Sequence, residues 1–89
     1  MPEQTVTICN RLGLHARAAA RLFKTASAFE CDVRLKNDDR EVNAKSIMGV
    51  MMLAAAKGTE LTLVADGPDA EAALEAISAL IADRFGEDE

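Results

Sequence analysis

Hydrophobic positions repeat along the chain with two different periods. The first is an alternation of apolar and polar residues, as in Thr5, Val6, Thr7 and Ile8, and it predicts half-buried strands. The turn residues 37–39 separate two such segments, which we interpret as the arms of a hairpin. The predicted strands are Gln4–Cys9, Cys31–Lys36, Arg40–Ala44 and Leu61–Ala65.

The second period places apolar residues three and four positions apart, which is typical of helices with one buried face. Ser46 precedes one such segment and Asp69 another, and both residue types favour the cap position before a helix. The predicted helices are 16–28, 47 to about 54, and 70–85.

The predicted order of elements is therefore β-α-β-β-α-β-α. Each helix offers one apolar stripe, apart from the helix after Ser46, so we expect an α+β open-faced sandwich with the helices on one side of the sheet. The sequence contains neither an internal repeat nor a linker, and residues 1–89 are interpreted as one domain. The acidic tail, residues 86–89, is expected to fray.

Composition narrows the classes of partner. The net charge is -5, the isoelectric point is near 4.8, and there is no Trp or Tyr, which argues against nucleic acid. No apolar run approaches the ~20 residues that span a bilayer, and the first residues resemble no export signal, so we expect a cytoplasmic protein without membrane contact. Cys9 and Cys31 suit two small buried side chains better than a metal clip, and no metal site is predicted.

His15, the only histidine, lies where Gly13 and Leu14 lead into a predicted helix. The first turn of a helix has free N–H groups and a partial positive charge, which favour an anion. Arg17 adds a cationic group suited to phosphoryl oxygens, and these positive surroundings are expected to keep the imidazole neutral and nucleophilic. On position alone, His15 could equally be a polar cap residue and Arg17 a solvated charge.

The motif around His15 resembles a known family. Residues 13–19, Gly-Leu-His-Ala-Arg-Ala-Ala, are similar to the active-site signature G-[LM]-H-A-R-P-A of the HPr family of the bacterial phosphotransferase system. The segment Lys45–Leu53 resembles the regulatory-serine segment of that family, and the resemblance extends from Thr5 to Phe85. One departure is Ala18, where the family usually has proline, which affects the rigidity of the first helical turn.

The resemblance implies a four-stranded antiparallel sheet with three helices on one face. It also implies that enzyme I, phosphorylated from phosphoenolpyruvate, transfers a phosphoryl group to Nδ1 of His15, and that an enzyme IIA-type protein removes it. Arg17 is then the phosphoryl clamp. A protein with this function is a carrier and not an enzyme. We expect this carrier to be monomeric and to need no cofactor, and the sequence fits either the sugar branch or the nitrogen-related branch of the family.

Ser46 has two interpretations. Its hydroxyl is well placed to cap the following helix. The family resemblance adds that a dedicated kinase, an HPr kinase/phosphorylase, phosphorylates the matching serine from ATP in many members. A phosphate is tolerated at the beginning of a helix, so we expect Ser46 to be a regulatory site.

The helix after Ser46 is apolar on two sides. One side contains Val50, Leu53 and Ala54, and a helix on a sheet buries only one side, so we assign this one to the core. The methionines would then be exposed, together with Ala55 on the same side. As the family resemblance also implies, the expected partner-binding patch is Ile47, Met48, Met51 and Met52. The alternative is that the methionines fill the core.

Two other functions share this element order. A small acyl-phosphate hydrolase needs an arginine-lined loop before the first helix, and the sequence has none there. A regulatory module that binds partners without obligatory phosphotransfer would not need His15. The phosphocarrier is therefore the interpretation that uses all of these features.

Overall fold

The computed structural model describes residues 2–38, 40–53 and 55–87, and the elements follow in the predicted order. Most strand and helix bounds differ from the predicted ones by one or two residues. A 3-10 turn, Arg84–Gly86, follows the last helix. The elements are β1 (Glu3–Thr7), α1 (Ala16–Ser27), β2 (Asp32–Asn37), β3 (Arg40–Asn43), α2 (Ile47–Met52), β4 (Glu60–Asp66) and α3 (Ala70–Ala82).

The four strands form one antiparallel sheet in the order β1-β4-β2-β3. Every second residue of β2 and β4 is buried, and the side chains between them are mostly polar, since one face carries the helices. Val64 lies on the other face and is nevertheless buried, between its cross-strand neighbours Glu3 and Arg34. The α+β open-faced sandwich with three helices is thereby confirmed, and none of the helices in the described part of the chain is long and apolar enough to cross a bilayer.

Helix α1 contacts both α2 and α3. Alanines at five of its twelve positions allow the helix to approach its neighbours closely, and three of them, with Leu22, form its buried face. The largest fully buried side chains of the core include Phe85, Ile8, Leu22, Leu35, Leu61, Leu63, Ile77 and Ile81.

The end of α3 differs from the prediction. The helix stops at Ala82 instead of continuing to residue 85, and both Arg84 and Phe85 adopt left-handed backbone conformations with φ of 57° and 55°. The reversal of the chain returns the Phe85 ring to the core, where it is fully buried, while its carbonyl oxygen accepts a hydrogen bond from the Arg21 guanidinium. The apolar spacing correctly identified Phe85 as buried and assigned it the wrong local conformation.

Helix α2 has the predicted core face, since Val50 and Leu53 are buried. Ala54 falls outside the described residues. The assignment of Ala55 to the exposed side is wrong: it is 4% exposed. The helix ends at Met52, so the angular projection of a helix no longer applies at residue 55.

Asp69 occupies the predicted cap position of α3, but its side chain makes no cap hydrogen bond. Its carboxylate instead accepts hydrogen bonds at 2.9 Å from the backbone N–H groups of Glu30 and Cys31, and it thereby ties the α1–β2 loop to the start of α3. The bond from the Glu30 N–H is the main reason that the pKa of Asp69 lies below its usual range. Burial raises the pKa of the Cys31 thiol, as expected for a small buried side chain, whereas Cys9 is only half-buried.

The Asp69 tie predicts a pH-dependent contribution to stability. Because its pKa is depressed in the folded protein, the stabilisation is fully present above the unfolded-state pKa of about 4 and is lost as the pH falls through the folded-state value. We expect Asp69→Asn to lower the melting temperature at neutral pH. The difference in melting temperature from the wild-type protein should become smaller as the pH falls. Thermal unfolding between about pH 2 and 7 measures this, with the exposed Asp32→Asn as control. A gap that stays constant over this range would contradict the account.

Candidate functional site

The loop between β1 and α1 is held against the segment that enters β4. The N–H of Ile8 donates to the Thr59 carbonyl at 2.9 Å, and the Ile8 carbonyl accepts from the Gly58 N–H at 2.7 Å. Further along, the Leu14 N–H donates to the Ala55 carbonyl at 2.9 Å. These bonds hold both ends of the loop, at Ile8 and at Leu14, and Leu14 immediately precedes His15.

Asn10 organises the loop from inside. It is fully buried, and its Nδ2 donates to the Gly13 carbonyl at 2.8 Å and to Glu87 Oε1 at 3.0 Å. The backbone carbonyl of Asn10 accepts a hydrogen bond from the Gly13 N–H at 3.2 Å. Asn10 was predicted only as the end of a strand; the available signal in the sequence was an asparagine between a predicted strand and a predicted helix.

His15 occupies the cap position of α1 in an extended conformation, and its side chain makes no cap hydrogen bond. The His15 backbone carbonyl accepts the first intrahelical hydrogen bond, which the Ala19 N–H donates at 2.9 Å. The His15 side chain is 28% exposed, and its Nε2 contacts Glu87 Oε2. The imidazole is therefore available at the surface, with one nitrogen engaged.

Glu87 was not predicted as a site residue. We expected residues 86–89 to fray, and this is wrong for Glu87, whose side chain is only 14% exposed and contacts both Asn10 and His15; residues 88 and 89 lie outside the described part. The hydrogen bond from Asn10 is the main cause that lowers the pKa of Glu87. The His15 contact and the positive charge of Arg21 also lower this pKa, whereas partial burial raises it. A carboxylate thus joins the positive groups that we expected around His15.

The two other positions of the motif lie in the first turn of α1. Arg17 is exposed there, and Ala18 is fully buried. The N–H groups of Ala16, Arg17 and Ala18 precede the first intrahelical bond, which the Ala19 N–H makes. The helix begins at Ala16 with alanine in the place of the proline, so the departure leaves the local fold intact.

Ser46 caps α2 as predicted. Its Oγ accepts a hydrogen bond from the Gly49 N–H at 3.1 Å, and its carbonyl accepts from the Val50 N–H at 3.0 Å. The residue is half-buried in an extended conformation. The structure shows the capping role, which leaves modification as a separate question.

The predicted patch on α2 is exposed. The exposed fractions are 75% for Met48 and 67% for Met52, so the alternative that the methionines fill the core is wrong for these side chains. Leu12, in the loop before His15, is 65% exposed and adds a large apolar side chain that the prediction omitted. We call the exposed large hydrophobic side chains of the described residues the docking patch; they are Leu12, Ile47, Met48, Met51 and Met52.

The chain is similar to phosphocarrier proteins over almost its whole length. Residues 2–83 match the family described as "PTS HPr component phosphorylation site". The chain is 54% identical over 89 residues to the phosphocarrier protein HPr of Cupriavidus necator, covering all of both chains. It is 45% identical to the phosphocarrier protein NPr of Shewanella violacea, covering 96% of this chain and 93% of the relative.

The solved structures agree with the fold. The crystal structure of HPr-C-His from Thermoanaerobacter tengcongensis superimposes with a TM-score of 0.96 at 45% identity over the whole of both chains. The structure of HPr from Bacillus anthracis gives a TM-score of 0.87 at 41% identity, covering 90% of this chain and 95% of the other. The chain belongs to the HPr family of phosphocarrier proteins of the phosphotransferase system.

Proposed function

We propose that this chain accepts a phosphoryl group on His15 from phosphorylated enzyme I and donates it to an enzyme IIA-type protein. The observation that supports this most directly is the partly exposed imidazole at the start of α1, which Glu87 Oε2 contacts on one side. A ring that is exposed on its remaining side can be reached by two partners in turn, as a carrier requires.

The first turn of α1 supports a phosphoryl group on this ring. The N–H groups of Ala16, Arg17 and Ala18 have no intrahelical acceptor, and they are natural donors to phosphoryl oxygens. Alanine at position 18 supplies one N–H that proline lacks. The Arg17 guanidinium is the proposed clamp, because its planar donors match the oxygens of a transferring phosphoryl group.

The docking patch is the proposed surface for these partners. It contains side chains from α2 and from the loop that leads into His15, so a protein that covers it also reaches the imidazole. Methionine side chains are flexible and adapt to differently shaped surfaces, which suits successive docking of enzyme I and an enzyme IIA-type protein. We infer that the chain works in the cytoplasm and as a monomer, since the docking patch must be open to partners, although three solved structures of relatives are described as dimers.

Ser46 is the proposed regulatory site, phosphorylated by an HPr kinase/phosphorylase. Its hydroxyl already lies at the first N–H groups of α2, where a phosphate would find donors and a favourable partial charge. Ile47 and Met48 follow directly, so a phosphate would add negative charge beside the docking patch. Regulation would then act on partner docking and leave the fold in place.

His15→Ala is expected to abolish phosphoenolpyruvate-dependent labelling by enzyme I. The free energy of unfolding should change by only about 1 kcal/mol or less, because the side chain makes no cap hydrogen bond. Arg17→Ala is expected to slow labelling without eliminating it. The control is Arg34→Ala, which removes the same charge from the face of the sheet opposite the helices. Equal slowing by both arginine variants would show that Arg17 is not a specific clamp. Phosphoryl labelling of His15→Ala would show that another residue carries the group.

Ser46→Asp tests the regulatory proposal. Aspartate caps helices as well as serine, so the melting temperature should remain close to the wild-type value, whereas the apparent KM for phosphorylation by enzyme I should rise. Ser46→Asn is the matched control, since it caps without adding charge. If Ser46→Asn raises the KM as much as Ser46→Asp, the effect is not electrostatic and the proposed switch fails.

The two faces of α2 make a further testable pair. Leu53→Ala removes buried packing and is expected to cost about 2–5 kcal/mol of stability, with little change in docking per folded molecule. Met48→Ala leaves no cavity and is expected to cost about 0.5 kcal/mol or less of stability while weakening enzyme I binding by about 1 kcal/mol or more. Thermal unfolding and titration calorimetry separate the effects. Early melting of Met48→Ala would show that the faces are assigned incorrectly.

A further inference from the structure

The segment after α3 brings a carboxylate to the His15 ring, and this carboxylate is itself held from behind. One oxygen of Glu87 contacts Nε2 of His15, and the other accepts a hydrogen bond at 3.0 Å from Nδ2 of Asn10. Residues 10 and 15 belong to the β1–α1 loop, whereas Glu87 lies 72 positions after His15. The three side chains form a chain of contacts that ends in the buried interior at Asn10.

The orientation of the Asn10 amide is decided by its surroundings. Nδ2 faces two oxygens, the Gly13 carbonyl at 2.8 Å and the Glu87 carboxylate. A reversed amide would place its own oxygen against both of these acceptors, with no hydrogen to share. Both hydrogens of Nδ2 are therefore committed, and Asn10 always presents a donor to position 87.

The His15 ring is constrained by the same logic. A carboxylate accepts hydrogen bonds and has none to give, so the neutral imidazole satisfies it by donating from Nε2–H. The lone pair of the neutral ring is then on Nδ1. We propose that Glu87 is a positioning residue that selects the Nε2–H tautomer of His15 and thereby leaves Nδ1 as the nucleophile for the phosphoryl group. This inference rests on the proposed carrier function and adds the residue that chooses the reacting nitrogen.

In the proposed transfer each bond that forms is matched by one that breaks, and the hydrogen on Nε2 of His15 stays in place. The Nδ1 lone pair forms the new N–P bond while the phosphoryl bond to the donor protein breaks and returns its electron pair to the donor. The phosphorylated ring keeps its hydrogen on Nε2 and carries a positive charge that faces the Glu87 carboxylate. When the next partner takes the phosphoryl group, the N–P electron pair returns to Nδ1 and the ring is neutral again. The positive charge of Arg21 in α1 acts on the Glu87 carboxylate and stabilises its charged form.

Replacement of Glu87 by glutamine tests this role, because the glutamine amide has one oxygen that accepts hydrogen bonds and one NH₂ group that donates them. Asn10 presents a donor, so the oxygen of Gln at position 87 is expected to face Asn10, and its NH₂ group must face His15 Nε2. Nε2 can satisfy an NH₂ group only by accepting, which moves the proton to Nδ1 and removes the nucleophilic lone pair. Glu87→Gln is therefore expected to be worse than Glu87→Ala, which leaves the ring free to choose its tautomer.

The experiment measures the tautomer and the transfer separately. Imidazole ¹⁵N spectra of His15 at about pH 9, above the ordinary pKa of histidine, show which nitrogen carries the proton. The single-turnover rate of phosphorylation by saturating phospho-enzyme I gives the transfer rate, with its concentration dependence giving the apparent KM. The variants are Glu87→Gln, Glu87→Ala and the control Glu75→Gln, which neutralises an exposed glutamate of α3. Melting temperatures verify that each variant is folded.

We expect the wild-type protein and Glu75→Gln to carry the proton on Nε2 and to react alike. Glu87→Gln is expected to carry it mainly on Nδ1 and to react about tenfold or more slowly than Glu87→Ala, with little change in KM. An unchanged tautomer in Glu87→Gln, or a rate equal to that of Glu75→Gln, would overturn the inference. A wild-type protein that takes no phosphoryl group from phospho-enzyme I would instead refute the proposed function, and the spectra would still decide the role of Glu87.

Discussion

The structure depends on the close approach of residue 13 to the chain that leads into β4. A Cβ atom on Gly13 would lie 2.5 Å from the Ala55 carbonyl oxygen and 2.9 Å from Ala56 Cα, and the φ of Gly13 is +66°. Only glycine tolerates both conditions without strain. The contact allows the Leu14 N–H to reach the Ala55 carbonyl, and this bond places His15 at the start of α1 with its ring outside the helix.

The same loop connects the two parts of the site. On its inner side Asn10 binds Glu87, and on its outer side Leu12 joins the docking patch beside α2. A partner that covers the patch therefore touches the loop whose backbone sets the position of the imidazole. In the proposed function, docking and transfer would therefore use the same hydrogen-bonded loop, and the orientation of the ring would be established before a partner arrives.

Much of this architecture could be predicted because its causes are local. Alternation along β2, the cap at Ser46 and the two-sided pattern of α2 each depend on neighbouring residues, and the structure confirms them. The misses have causes that are distant in sequence. Phe85 leaves the helical path because the core accepts its ring, and Asp69 turns away from its own helix towards Glu30 and Cys31. Periodicity cannot encode such contacts. Glu87 is the extreme case, since an acidic residue in a polar tail carries no local sign that it meets a histidine 72 positions earlier.

The central claim is that a phosphoryl group enters and leaves through Nδ1 of His15. The most direct measurement combines phosphorus and nitrogen magnetic resonance on protein that carries ¹⁵N-labelled histidine and has been phosphorylated by enzyme I and phosphoenolpyruvate. Transfer through Nδ1 should give one phosphorus resonance with a one-bond coupling to Nδ1, and this resonance should disappear when an enzyme IIA-type acceptor is added. A coupling to Nε2, or a phosphorus signal without coupling to either ring nitrogen, would contradict it.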